Sequence, residues 1–263
     1  MFDDVREMVT EQFRYRELLL QMTRRDLLLR YKQTAMGAGW AVFMPLLNTA
    51  IFSIVFTRIA PVRTPVPYAV FAYCGLLAWN FFASSLRFSL SSLTGNLNLV
   101  TKVYFPREIF PFSSVIVCLI DTLVGSVVLV ALMIYYHVPV GAPLLFLPAV
   151  VLVHATFTTG VTLALAMANL FYRDVKYLFE VVINVWMFLT SVLYPITLVG
   201  GRWSRVMALN PMTAIIDAYR DTVLLNRMPD PGMFGTAAAI SFAVAASAWI
   251  LFHRAEFRFA ESV

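Results

Sequence analysis

Six stretches of this chain are too long, too apolar and too free of charge to be ordinary core helices. They run from about Met36 to Phe56, Tyr68 to Leu86, Phe110 to Tyr135, Pro143 to Asn169, Tyr177 to Leu198 and Phe234 to Phe252. A helix needs about twenty mostly apolar residues to cross a bilayer, and there the backbone must satisfy its own hydrogen bonds, which a helix does. Composition agrees: 60% of the 263 residues are hydrophobic and only 13% charged, where soluble domains run nearer a quarter charged. Too little polar surface would remain to cover a water-soluble core, so a soluble enzyme is excluded. The expected fold is an all-α membrane protein with six transmembrane helices.

Charge placement gives the orientation. Fourteen Lys and Arg precede span 1, lie in the 2–3 and 4–5 loops or follow span 6, against six in the alternate connections. Because cytoplasmic loops carry the Lys and Arg excess, both termini and those two loops are expected in the cytoplasm. That asymmetry explains the net charge of +5 without invoking nucleic acid. The charged opening residues do not resemble a cleavable signal peptide, so insertion by the first span is expected.

The segments between spans carry their own patterns. Within an expected interfacial segment of residues 1–34, residues 3–31 alternate charge with apolar positions at spacings that often fit a helix, which suggests an amphipathic helix along the cytoplasmic membrane surface or one packed on the bundle. Thr23 with Asp26 suggests the cap of a second short helix there. The remainder, 35–263, is expected to form one transmembrane domain, with a cytoplasmic loop at 87–109 and an external hairpin at 199–232. In that hairpin Asn210 suits a cap and Pro211 the first helical position. Pro195 predicts a kink or helix end, so span 5 is expected to be shorter than hydropathy implies and the short external helices to re-enter the membrane. In span 6 two rows of small residues, Ala237, Ser241, Ala245 and Ala239, Ala243, Ser247, permit close approach of another helix, from this chain or a second copy.

Chemistry-bearing motifs are missing from the sequence. It contains no phosphate-binding loop, glycine-rich nucleotide fingerprint, His-Glu-x-x-His or Cys-x-x-Cys. Cys74 and Cys118 sit in apolar runs as small hydrophobes, and His137, His154 and His253 are far apart in sequence. Asp121 is the one acid deep within a span. It reads as a hydrogen-bonded contact, to Thr122, Ser126 or a neighbouring polar group, or as a functional charge. A six-span chain without an energy source suggests a subunit that draws on a partner.

The stretch from Gly95 to Pro111 (GNLNLVTKVYFPREIFP) resembles the ABC-2 type polysaccharide exporter permeases. So do Arg24 to Tyr31 (RRDLLLRY) followed by Gly37 to Trp40 and Pro45, Asn169 to Val175 (NLFYRDV), and Tyr194-Pro195 followed by Leu209 to Pro211. The resemblance implies an ABC-2 exporter fold in a bacterial inner membrane. It also implies a homodimer with two copies of a cytoplasmic ABC nucleotide-binding subunit, and a channel for a polyprenyl-diphosphate-linked glycan such as O-antigen, capsule or teichoic acid. The chain itself would hold no cofactor; ATP and Mg2+ would belong to the partner ATPase. The 2–3 loop would carry the coupling helix, which places Asn96, Asn98, Lys102, Arg107 and Glu108 against the ATPase, with Arg173 and Asp174 as a second contact. Arg107 also suits snorkelling to lipid phosphates. Arg24, Arg25, Arg30 and Lys32 form a basic rim suited to the substrate's diphosphate or to anionic headgroups.

A sliding glycan favours aromatic walls with few charges. Trp40 and Phe43 in span 1, Tyr68, Phe71, Tyr73, Trp79, Phe81 and Phe82 in span 2, and Trp186, Phe188 and Tyr194 in span 5 are the candidate channel residues. Tyr68, Trp79 and Tyr194 suit membrane-interface anchors equally well.

Overall fold

The computed structural model describes residues 10–32, 39–59, 61–102, 105–200, 207 and 209–259, and every regular element among them is helical. In chain order these are α1 (Arg16–Tyr31), α2 (Gly39–Ile54), α3 (Tyr68–Leu90), α4 (Leu97–Lys102), α5 (Ile109–Tyr135), α6 (Leu147–Phe171), α7 (Val175–Phe188), α8 (Pro211–Val223) and α9 (Pro231–Phe259). A π turn, Val55–Ile59, prolongs α2, so Arg58, expected just beyond the first span, lies within its last turn.

Among the described residues, five stretches are long and apolar enough to cross a bilayer: Val42–Ile59, Tyr68–Leu90, Ile109–Tyr135, Ala142–Phe171 and Pro231–Glu256. The expected fifth span resolves differently. Its helix, α7, has 14 residues, about 21 Å at 1.5 Å per residue, short of a ~30 Å hydrocarbon core. Turns follow from Leu189, and Pro195 adopts an extended conformation before the 3-10 turn Ile196–Leu198. A proline cannot donate to a continuing helix, and the apolar run continues past the point where the helix stops.

Helix α3 is the centre of the bundle. Most of its residues are buried, and Phe82 stacks on Phe157 of α6 and meets Trp186 of α7 edge-on. Helices α2 and α7 each leave an apolar row without cover from the rest of the chain: Phe43, Leu47, Ile51 and Ile54 stay exposed on the first, Tyr177, Val181, Val185 and Phe188 on the second. Helices α6 and α9 pack closest. A Cβ at Gly160 would lie 2.7 Å from the Ala245 Cα, so glycine is what permits the contact. Ala237 and Ser241 are buried and Ala245 half-buried, while Ala239, Ala243 and Ser247 are outward. One small-residue row therefore serves a helix of the same chain.

At the N-terminal end α1 is continuous, which corrects the expected second helix starting at Thr23. Thr23 sits inside α1, and its hydroxyl donates to the Leu19 carbonyl at 2.8 Å. Tyr15, Leu18, Leu19 and Met22 pack onto a cluster built by Leu93, Phe105, Ile109 and Phe252. Further along, the Ser113 hydroxyl donates to Asp26 at 2.9 Å, and Arg30 and Tyr31 reach Asp121. The polar helix thus follows the first half of α5 and ends beside its middle. Residues 1–9 of the expected interfacial segment lie outside the described residues.

Candidate functional site

Among the described residues, three polar regions bear on the candidate site. The first is the connection from α3 to α5. Leu90 hands over to turns, a 3-10 turn Thr94–Asn96 and then α4. Asn98 is exposed on α4, while the Asn96 side chain turns back to donate to the Ser92 carbonyl at 2.8 Å. The Lys102 side chain lies outside the described residues. Arg107 and Glu108, expected to face an ATPase, instead point into the chain. The Arg107 backbone N–H donates to Glu256 Oε1 at 3.0 Å, and its guanidinium donates to the Glu256 carbonyl at 2.8 Å. Glu108 is 1% exposed, with His253 Nδ1 3.3 Å from its Oε1 and 3.8 Å from Glu256 Oε2. Burial raises the Glu108 carboxyl above the usual carboxylate range, against the opposing pull of its own backbone and of His253. This cluster ties the loop to the end of α9. Sequence reading missed it because His253 and Glu256 lie more than half the chain away from the loop. On the α6–α7 connection Arg173 and Asp174 are exposed.

The second region surrounds the expected basic rim. Arg24 and Lys32 are exposed, and Arg25 pairs with its neighbour Asp26 at 2.8 Å. Arg30 does more: it forms an ion pair with Asp121, lies 4.0 Å over the Phe88 ring, and approaches Cys118 Sγ at 3.9 Å. The Tyr31 hydroxyl donates to the other Asp121 oxygen. Asp121 thus takes its partners from α1 rather than from Thr122 or Ser126, whose hydroxyls donate to the Cys118 and Leu123 carbonyls. Beside the pair opens a cavity of about 490 Å³ between α2, α3 and α5, lined by Trp40, Asn48, Asn80, Ser84 and Thr122 among others.

The third region joins the broken end of α7 to α8. The Asn210 side chain accepts from the Met212 backbone at 3.1 Å, as a helix cap does, and also accepts from the Trp186 indole at 3.2 Å. The cap and Pro211 at the first helical position follow the expected pattern. Arg220 is buried; its guanidinium donates to the Ser191 and Val192 carbonyls, pairs with Asp217 at 3.4 Å and stacks 3.7 Å from the Phe71 ring. Those carbonyls sit where α7 has stopped, and the arginine satisfies them. An arginine in a helix expected to dip into the membrane was the available signal. Residues 201–206, with Arg202 and Arg205, lie outside the described residues.

The aromatic candidates divide sharply. Tyr68, Phe71, Tyr73, Trp79, Phe81 and Phe82 are buried within the chain, not arrayed on an open wall. The Tyr68 hydroxyl donates to the Leu193 carbonyl and that of Tyr73 to the Gly125 carbonyl, each at 2.9 Å; Phe82 stacks on Phe157 with centroids 5.6 Å apart. Their helix is the hub, and most of its surface meets protein. Trp40, Phe43 and Phe188 are exposed, with Trp186 and Tyr194 half-buried.

Helices of bilayer length and apolar composition, joined by short polar connections, define a multi-pass membrane protein. Residues 17–224 match the family described as ABC-2 type transporter, and the chain belongs to that family. It is 31% identical over 260 residues to the O-antigen export system permease protein RfbA of Myxococcus xanthus, covering 97% of this chain and 99% of that one. A protein of the same name from Klebsiella pneumoniae is 32% identical over 206 residues, 78% of this chain and 79% of that one. A second Klebsiella pneumoniae protein so named is 27% identical over 246 residues, covering 93% and 94%.

Proposed function

We propose that this chain is the channel-forming subunit of an ATP-driven exporter that carries a polyprenyl-diphosphate-linked O-antigen polysaccharide across a bacterial inner membrane. It works as a homodimer with two copies of a cytoplasmic nucleotide-binding subunit, both termini on the cytoplasmic side. The observation that carries this proposal is the similarity to an O-antigen export permease along 97% of the chain. The uncovered apolar faces of α2 and α7 support a second copy as their partner, because apolar side chains on these helices need either lipid or protein against them. Trp40, Phe43 and Phe188 stand on those faces and are the rings placed to meet the glycan, with Trp186 and Tyr194 behind them.

Coupling follows a two-layer arrangement. Asn98, Arg173 and Asp174 are the exposed groups that meet the ATPase, together with Asn96 and Lys102 on the same loop. Arg107 and Glu108 act behind them, passing load from the loop to α5 and, through Glu256 and His253, to α9. The test is removal of the chain from cells that make the polymer. Lipid-linked glycan then accumulates on the cytoplasmic face, and re-expression restores surface polymer. Normal surface polymer in its absence, or accumulation of a small lipid or drug instead, overturns the proposal.

A further inference from the structure

A charged pair inside a membrane protein is costly and most often marks a pathway or a binding site. Asp121 lies about 18 Å along α5 from Ile109, by the 1.5 Å rise of a helix, near the middle of a 27-residue span. Its partner Arg30 comes from a different element, the last turn of α1, and not from a neighbouring span. Simple stabilisation of the bundle does not call for this, since an apolar contact at the same depth needs no compensation.

The surroundings of the pair are unusual in a second respect. Asn48, Asn80 and Ser84 border the cavity of about 490 Å³ beside it, the first exposed and the other two half-buried. Their amides and hydroxyl are therefore open to whatever enters the cavity, as donors and acceptors together. With them stands Trp40, already partly exposed. An aromatic face beside several amides and hydroxyls is the combination that a sugar ring, with its apolar C–H face and ring of hydroxyls, can satisfy. Arg30 adds the fork of donors that suits a phosphate group. A second cavity of about 320 Å³, towards the α3–α5 loop, also has Arg30 in its wall together with Ser91, Ser92 and Asn96. Arg30 therefore stands between a loop-side opening and the deeper polar space.

We propose that Arg30 and the adjoining cavity form the seat of the substrate's diphosphate and first sugar, and that Asp121 holds this seat in the resting chain as a competing carboxylate. The proposal rests on the polysaccharide reading above and adds to it a place and a latch. A diphosphate arriving beside Arg30 offers more anionic oxygens than one carboxylate does, and takes the guanidinium from Asp121. The hydroxyl of Tyr31 keeps Asp121 hydrogen-bonded after the exchange. The last turn of α1 is then freed from α5, and the ligand itself opens the inner mouth.

The experiment measures equilibrium binding of radiolabelled farnesyl diphosphate to the permease–ATPase complex in phosphatidylcholine nanodiscs without nucleotide, with farnesol as the diphosphate-free control. Removing the competitor raises the fraction of free seats, so Asp121→Asn tightens binding by about tenfold. Arg30→Gln loses saturable binding, and the Arg30→Gln/Asp121→Asn double variant, which leaves no lone charge, behaves as Arg30→Gln does. Where Asp121→Asn fails to assemble, Tyr31→Phe removes one of Asp121's two ties and tightens binding by about threefold. Unchanged affinity in Asp121→Asn or, in that event, Tyr31→Phe overturns the latch, and retained binding in Arg30→Gln overturns the seat. Phosphatidylglycerol in the nanodisc that competes as well as pyrophosphate makes this a general lipid-headgroup site and overturns the assignment to substrate. No ATP or polymer enters this assay, so failed glycan export with intact binding would remove the polysaccharide reading alone.

Discussion

Replacing Arg220 by alanine should loosen the junction between the broken end of α7 and α8 more than any other single exchange in α8. The guanidinium serves four neighbours at once: the Ser191 and Val192 carbonyls, Asp217 and the Phe71 ring. Alanine leaves the Asp217 carboxylate without its cation and two carbonyls without donors. Breaking a buried pair from one side costs about 3–5 kcal/mol, and losing charged donors to buried acceptors acts in the same direction. For a chain of this size that corresponds to a fall in melting temperature on the order of 10 °C. Lysine keeps the charge but not the fork that reaches both carbonyls, so Arg220→Lys should lose roughly half as much. Both cysteines are buried, and Cys74 adjoins Gly75, whose added Cβ would lie 2.5 Å from Arg220 Nη2. A Cys118→Ser background and a thiol-reactive fluorophore therefore report the opening of this region during a thermal ramp. Gly75→Ala should shift the same transition downward by displacing the arginine. An Arg220→Ala protein that melts within about 2 °C of its parent would refute the role assigned to these contacts.

Other consequences concern packing and coupling. Gly160→Val should separate α6 from α9, because even a Cβ would come within 2.7 Å of the Ala245 backbone; a loss of about 1–3 kcal/mol is expected, read as reduced thermal stability of the purified protein. Arg107→Ala should leave the complex assembled and hydrolysing ATP while export falls by about tenfold or more, since the loop loses the guanidinium's tie to the Glu256 carbonyl and keeps only the backbone one. ATP turnover and export measured on the same preparation check this, and equal losses in both would contradict it. The Glu108 carboxyl, raised by burial, keeps its proton in the folded chain above the pH at which the unfolded chain releases it. Its contribution to stability therefore falls as pH rises from about 4.5 through the raised value. Glu108→Gln should flatten that fall when melting temperatures at about pH 5 and pH 8 are compared.

Much of the architecture was legible because long apolar runs have few alternatives. Tyr68 opens α3 and Tyr135 closes α5 where hydropathy placed those ends, and the Asn210-Pro211 start of α8 is written in local capping chemistry. Span 5 was harder. Hydropathy counts the apolar residues after Phe188 as if they continued a helix, whereas their backbone turns and passes its carbonyls to Arg220. The aromatic content of α3 suggested an open wall, but a sequence does not say which helix will be the hub. The polar constellations escaped for a related reason. Arg30 and Asp121 are 91 positions apart and Arg107 and Glu256 are 149 apart, so neither pair leaves a local pattern. What the sequence did reveal was the anomaly of each partner: an acid within a span, and a charged pair at the foot of α5.

Transport by the assembled complex tests the central claim most directly. The chain, co-purified with its ATPase and reconstituted into liposomes, presents its cytoplasmic face outward in the inverted fraction. Lipid-linked O-antigen glycan supplied outside should become protected inside when ATP is added, and should not with a nonhydrolysable analogue. A stable complex that turns over ATP yet never encloses the glycan, while moving short lipids or drugs, would contradict the assignment to polysaccharide export.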